Sequence, residues 1–70
     1  MQGVVRVYDP VTGFGVVVRD DDRSDVFLTP GSLDGSLFRT LRQGQRVVFD
    51  AHDRDGKLIA TNLRFGVEGY

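Results

Sequence analysis

Five short runs of β-branched and aromatic residues, each but the last closed by a turn signal, take up most of this 70-residue chain. Val4 to Tyr8 is followed by Asp9-Pro10 and Thr12-Gly13. Phe14 to Arg19 ends at the polar stretch Asp20-Asp21-Asp22-Arg23-Ser24. Asp25 to Thr29 is stopped by Pro30-Gly31, and Gln45 to His52 by Asp53-Arg54-Asp55-Gly56. Lys57 to Phe65 is the fifth run. Such punctuation predicts strands rather than helices, and Asp55-Gly56 is a strong hairpin signal. Ser32 to Arg42 reads as a longer connection. It carries Leu33, Leu37, Phe38 and Leu41 at irregular spacing, with room for one helical turn.

So short a chain cannot build a two-layer sandwich with much between its layers. Curling one sheet into a small barrel buries one face and leaves few open edges. The order is a three-strand meander, a long connection and a hairpin. It predicts an all-β, five-stranded antiparallel Greek-key barrel of the OB type, with an SH3-like barrel as the alternative. Seventy residues allow one domain, spanning 1–70, with a core of about 3–65 and a short tail at 66–70. The chain has no cysteine, so neither disulfides nor thiolate metal sites can staple it. No apolar run approaches the roughly 20 residues of a membrane span. Met1-Gln2-Gly3-Val4-Val5 lacks the basic-then-apolar layout of a signal peptide, so a cytoplasmic protein is expected.

Alternation assigns faces. Val26 and Leu28 share one face of the third strand, and Phe27 and Thr29 the other. On the second strand Val17 opposes Phe14, Val16 and Val18. The expected core is Val5, Val17, Val26, Leu28, Leu33, Val47, Ile59 and Leu63. Phe14, Val16 and Phe27 then point away from it, with Tyr8 near them. An outward cluster of aromatics on adjacent strands asks for a function, and base stacking is one that rings of this kind perform.

Charge does not argue for it globally. Nine basic and ten acidic residues leave a net charge of −1, which removes a strongly positive field but not a local basic stripe. Catalysis finds no footing. Ser24, Ser32 and Ser36 have no base-and-orienter partners, and His52, the only histidine, has no zinc-ligating companions. The Asp20, Asp21, Asp22 and Asp25 group lacks the spacing of a calcium loop. Gly13-Phe14-Gly15 does not open a helix, so it is no dinucleotide loop.

Four motifs, in order and at matching spacing, resemble the bacterial cold-shock domain family. Gly13-Phe14-Gly15-Val16-Val17 resembles its first ribonucleoprotein motif, usually Lys-Gly-Phe-Gly-Phe-Ile. Val26-Phe27-Leu28-Thr29-Pro30 resembles the second, usually Val-Phe-Val-His-Phe. Arg6-Val7-Tyr8-Asp9 stands where the family has Lys-Trp-Phe-Asn, and Gly44-Gln45-Arg46-Val47-Val48-Phe49 matches its Gly-Gln-x-Val-x-Phe strand. The resemblance implies an OB barrel that binds single-stranded RNA or DNA on strands one to three, as an RNA chaperone or regulator of transcription or translation. It implies no cofactor, no small-molecule substrate, no membrane and no enzymatic activity.

Carried over residue by residue, the resemblance makes Phe14, Phe27 and Tyr8 stacking rings and Arg6 a phosphate contact. Val16 and Thr29 occupy positions of the binding face. Phe38 stands where the family often has an aromatic that contacts a base; covering the barrel end is the other reading. Arg54 lies near a binding arginine of the last hairpin. The departures lie on that same face: Val7 replaces tryptophan, Thr12 lysine, Val16 an aromatic, Thr29 histidine and Pro30 phenylalanine. Each stacked base is worth roughly 1–3 kcal/mol, and 1.4 kcal/mol is tenfold in affinity. Neighbouring rings do not contribute additively, so four missing rings predict binding weaker than the family's by about two to four orders of magnitude. The alternative is a protein-interaction or self-association module, such as a homodimer, on a barrel whose nucleic-acid face has degenerated.

Overall fold

A computed structural model describes residues 1–36 and 38–66; Leu37 and the tail residues 67–70 lie outside it. Five strands form: β1 (Gln2–Tyr8), β2 (Gly15–Arg19), β3 (Asp25–Leu28), β4 (Arg46–Arg54) and β5 (Lys57–Phe65). They close into a barrel in the order β1-β2-β3-β5-β4, with β4 returning to β1. Four of the neighbouring pairs are antiparallel, and the β3–β5 contact that completes the barrel is parallel. The expected OB-type barrel is therefore the fold.

Local sequence explains most of the turns. Asp55 and Gly56 both take positive φ, 55° and 81°, between the paired residues Arg54 and Lys57. That is the two-residue geometry whose handedness suits a twisted hairpin. Between β3 and β4 the chain makes successive four-residue turns, Ser32 N to Thr29 O, Asp34 N to Gly31 O and Ser36 N to Leu33 O. These do not develop into a helix among the described residues.

The barrel interior holds Val5, Val17, Val26, Leu28, Phe38, Leu41, Val47, Phe49, Ala60 and Leu63. Six of the eight residues expected there are present. Leu33 is only partly buried and packs against this cluster from the long connection. Ile59 is corrected outright: it is half-buried on the outer face, and Ala60 takes the inner position. The cause is a bulge. β4 advances from Val48 to Asp50 while β5 retreats from Arg64 to Thr61, so β5 carries one extra residue. Asn62 sits in that stretch with φ 56°. An extra residue reverses side-chain parity, which lets Leu63 and Ala60 both point inward.

A second bulge lies on β1. Val5 pairs with Val17, but Val7, not Arg6, pairs with Val16. The reversal turns Val7 outward, where it is 52% exposed. Tyr8, expected on the outer face, instead packs half-buried against the core cluster.

Candidate nucleic-acid interface

The outer face of β2 and β3 is set by their inner one. Val17, Val26 and Leu28 are fully enclosed, so Val16 and Phe27 must stand outside, and they are directly opposite each other across the β2–β3 pair. The row continues in both directions. Val7 opposes Val16, Ile59 opposes Phe27, and His52 opposes Ile59. Residues that face each other across a sheet share a side, so this row crosses all the strands of the barrel.

Phe14 joins the row from the β1–β2 turn. Asp9 shapes that turn: its carboxylate accepts the Val11 amide at 2.9 Å, and its backbone nitrogen donates to the Phe14 carbonyl at 2.8 Å. Phe14 is 56% exposed. Two glycines bracket it for steric reasons. A Cβ on Gly15 would lie 2.5 Å from the Val7 carbonyl oxygen and 3.0 Å from the Tyr8 Cα. Gly13 has φ 83°, and a Cβ there would press on the Pro30 Cα at 3.1 Å. The glycines thus let the turn lie against β1 and the end of β3 while holding Phe14 beside Phe27.

Together these residues line a groove of about 420 Å³. Val7, Phe14, Val16, Phe27 and Ile59 make it apolar, with Thr29 and Lys57 as its polar side chains. Of the residues expected at a binding site, the structure brings Phe14, Phe27, Val16 and Thr29 to this groove. Thr29 is partly occupied already: its amide donates to the Ser32 hydroxyl at 2.9 Å, and the two hydroxyls lie 3.3 Å apart.

The others are elsewhere. Phe38 is buried, 8% exposed, with its ring 4.6 Å from that of Phe65 at a 51° tilt. The long connection folds it into the core, which favours the covering role over a base contact. Arg6 is exposed and faces Asp25 at 3.8 Å, an exposed pair worth about 0–1 kcal/mol and easily opened. Arg54 stands opposite Lys57 at the end of the β4–β5 hairpin.

Sequence reasoning missed two groove residues, Ile59 and Lys57. Parity counted back from Leu63 put Ile59 inside, because the bulge was invisible. Lys57, the chain's single lysine, opens β5, and its ammonium lies 5.7 Å from the centroid of the Phe27 ring.

The acidic turn between β2 and β3 is tied down by the barrel's own arginines. Arg19 pairs with Asp21 at 3.1 Å and Asp22 at 3.7 Å, and Arg46 pairs with Asp20. The Ser24 hydroxyl and amide, both donating to Asp22, hold its carboxyl below the ordinary carboxylate value, with Arg19 adding to the effect. Among the described residues no cluster of three or more metal-ligating side chains exists.

The 'Cold-shock' DNA-binding domain family matches residues 1–65. The chain is 36% identical over 62 residues to the Cold shock-like protein CspA of Rickettsia bellii, covering 89% of each. It is 37% identical over 63 residues to the Probable cold shock protein A of Mycobacterium tuberculosis, covering 90% of this chain and 94% of that protein. Against the Cold shock protein CspA of Rhizobium meliloti it is 34% identical over 64 residues, 89% of this chain and 93% of the relative. With its closed five-stranded barrel and its outward phenylalanines, the chain belongs to the cold-shock domain family.

Proposed function

We propose that this barrel binds single-stranded RNA or DNA by stacking bases on Phe14 and Phe27, in the manner of an RNA chaperone or a regulator of transcription or translation. Nucleic-acid binding is the activity of the family. The observation that carries the mode is the groove: two phenylalanine rings and an aliphatic floor on one outer face, with Phe14 56% exposed. Rings tolerate any base, because every base has a π-face. Arg6 supplies a phosphate contact once its exposed pair with Asp25 opens. Affinity is lower than that of family members with the full set of rings, since Val7 and Val16 occupy two places where those members stack.

The double variant Phe14→Ala/Phe27→Ala, titrated with fluorescent oligo-dT by anisotropy at low salt, tests this. Each ring is worth roughly 1–3 kcal/mol, so binding should fall at least about tenfold. Unchanged affinity would falsify the stacking mode.

A second reading has support in the same groove. Val7 and Phe14 are each more than half exposed on an apolar surface, which suits contact with another protein or a second copy of the chain. Analytical ultracentrifugation separates the two readings. A tight dimer that ignores oligonucleotides would favour self-association.

A further inference from the structure

Among the described residues, Lys57 is the one charged residue lining the groove. Its ammonium lies over the ring of Phe27, 5.7 Å from the centroid, within the range of a cation–π contact. The ion pairs of the described residues engage Arg6, Arg19, Arg46 and Arg64, and none engages Lys57. Arg54 stands directly across the hairpin from it. The groove therefore has an apolar floor and a basic end. The cation nearest its central ring is free of any described carboxylate.

Two demands meet at this ring. A base can stack on Phe27 only if the face is open, and Lys57 overlies it. A strand that places a base there also brings a backbone phosphate nearby. We propose that Lys57 exchanges partners on binding. In the free protein its ammonium lies against the Phe27 ring, and in the complex it moves to a phosphate of the strand whose base takes its place. This rests on the stacking function proposed above and adds a residue to it. The flexible four-carbon stem and point charge of lysine suit such an exchange. An exposed cation–π contact is weak, so a base can displace it. The phosphate contact that replaces it releases a counterion and so makes binding more salt-dependent.

The test uses the full chain, its Lys57→Gln and Lys57→Arg variants, and oligo-dT as the probe. In the free wild-type protein, NMR should find the Lys57 Hε protons shifted upfield by the Phe27 ring current. Adding oligo-dT should return them toward ordinary lysine values. Anisotropy titrations at several salt concentrations should show that Lys57→Gln lowers the slope of log K against log salt by about 0.7, the value of one phosphate on a single strand. Lys57→Arg should keep the slope. Circular dichroism confirms that each variant is folded. If wild type binds and Lys57→Gln keeps the same slope, or the Hε protons do not move on binding, the partner exchange is wrong while stacking stands. If wild type does not bind oligo-dT at all, both fail.

Discussion

Phe27 stands directly opposite Ile59 across the parallel contact that closes the barrel. That single pairing carries the apolar groove from the meander onto β5. It also places Lys57, two residues before Ile59 on the same face, with its ammonium over the Phe27 ring. The groove is consequently a feature of the closed barrel rather than of two motifs on adjacent strands.

Val16 faces Phe27 on one side and Val7 on the other, so a ring at Val16 would extend the platform without entering the core. Val16→Phe is expected to tighten oligo-dT binding about 5- to 150-fold, the worth of one stacked base. Anisotropy at fixed salt measures it. No gain would mean that the aliphatic floor is not what limits affinity.

Phe38 distinguishes a core residue from a binding one. Large-to-small substitution of a buried phenylalanine costs about 3–5 kcal/mol, while a barrel of this length has roughly 3–10 kcal/mol in total. Phe38→Leu, the milder change, should lower the melting temperature and leave oligonucleotide affinity of the folded protein unaltered. A loss of affinity without a loss of stability would return Phe38 to the binding face.

Gly15 has no room for a methyl group, because its neighbours there are the Val7 carbonyl oxygen and the Tyr8 Cα, both backbone atoms. Gly15→Ala should therefore force β1 and β2 apart and destabilise by about 1–3 kcal/mol. The same change should weaken binding, since Phe14 moves with the strand. Denaturant unfolding and an oligonucleotide titration together check both halves.

Asn62 combines a backbone and an electrostatic role. It holds φ 56°, a conformation asparagine tolerates better than most residues, and its side-chain amide donates to Asp50 at 3.0 Å. That hydrogen bond, aided by Arg64, holds the Asp50 carboxyl below the ordinary carboxylate value. A depressed folded-state value contributes stability above the unfolded value, lost as pH falls through the folded one. The window lies below about pH 4, where an unperturbed aspartate protonates. Asn62→Ala should raise the Asp50 value toward normal, as carboxyl NMR titration would show. It should also destabilise the bulge at neutral pH. Asn62→Gly should raise the Asp50 value equally but unfold at a higher temperature than Asn62→Ala, because glycine adopts positive φ without strain.

The strands, the hairpin at Asp55-Gly56 and the inside–outside choice on β2 and β3 were all legible in the sequence. So were Phe14, Val16, Phe27 and Thr29 as one face. These depend on local periods and turn chemistry, and nothing irregular interrupts the alternation between Gly15 and Leu28. Val7 was placed on the groove face by the family resemblance, not by alternation; tertiary structure alone showed why it turns outward while Tyr8 packs on the core, and decided that Ile59 lies outside while Ala60 lies within. It also buried Phe38 and brought Lys57 to Phe27. The physical reason is shared by the first two. A strand's side chains alternate with a period of two, so one extra residue reverses every assignment beyond it. The two bulges, on β1 and β5, are set by pairing with a neighbouring strand that local sequence does not contain. Phe38 and Lys57 depend on closure of the barrel, which brings together residues far apart in the chain.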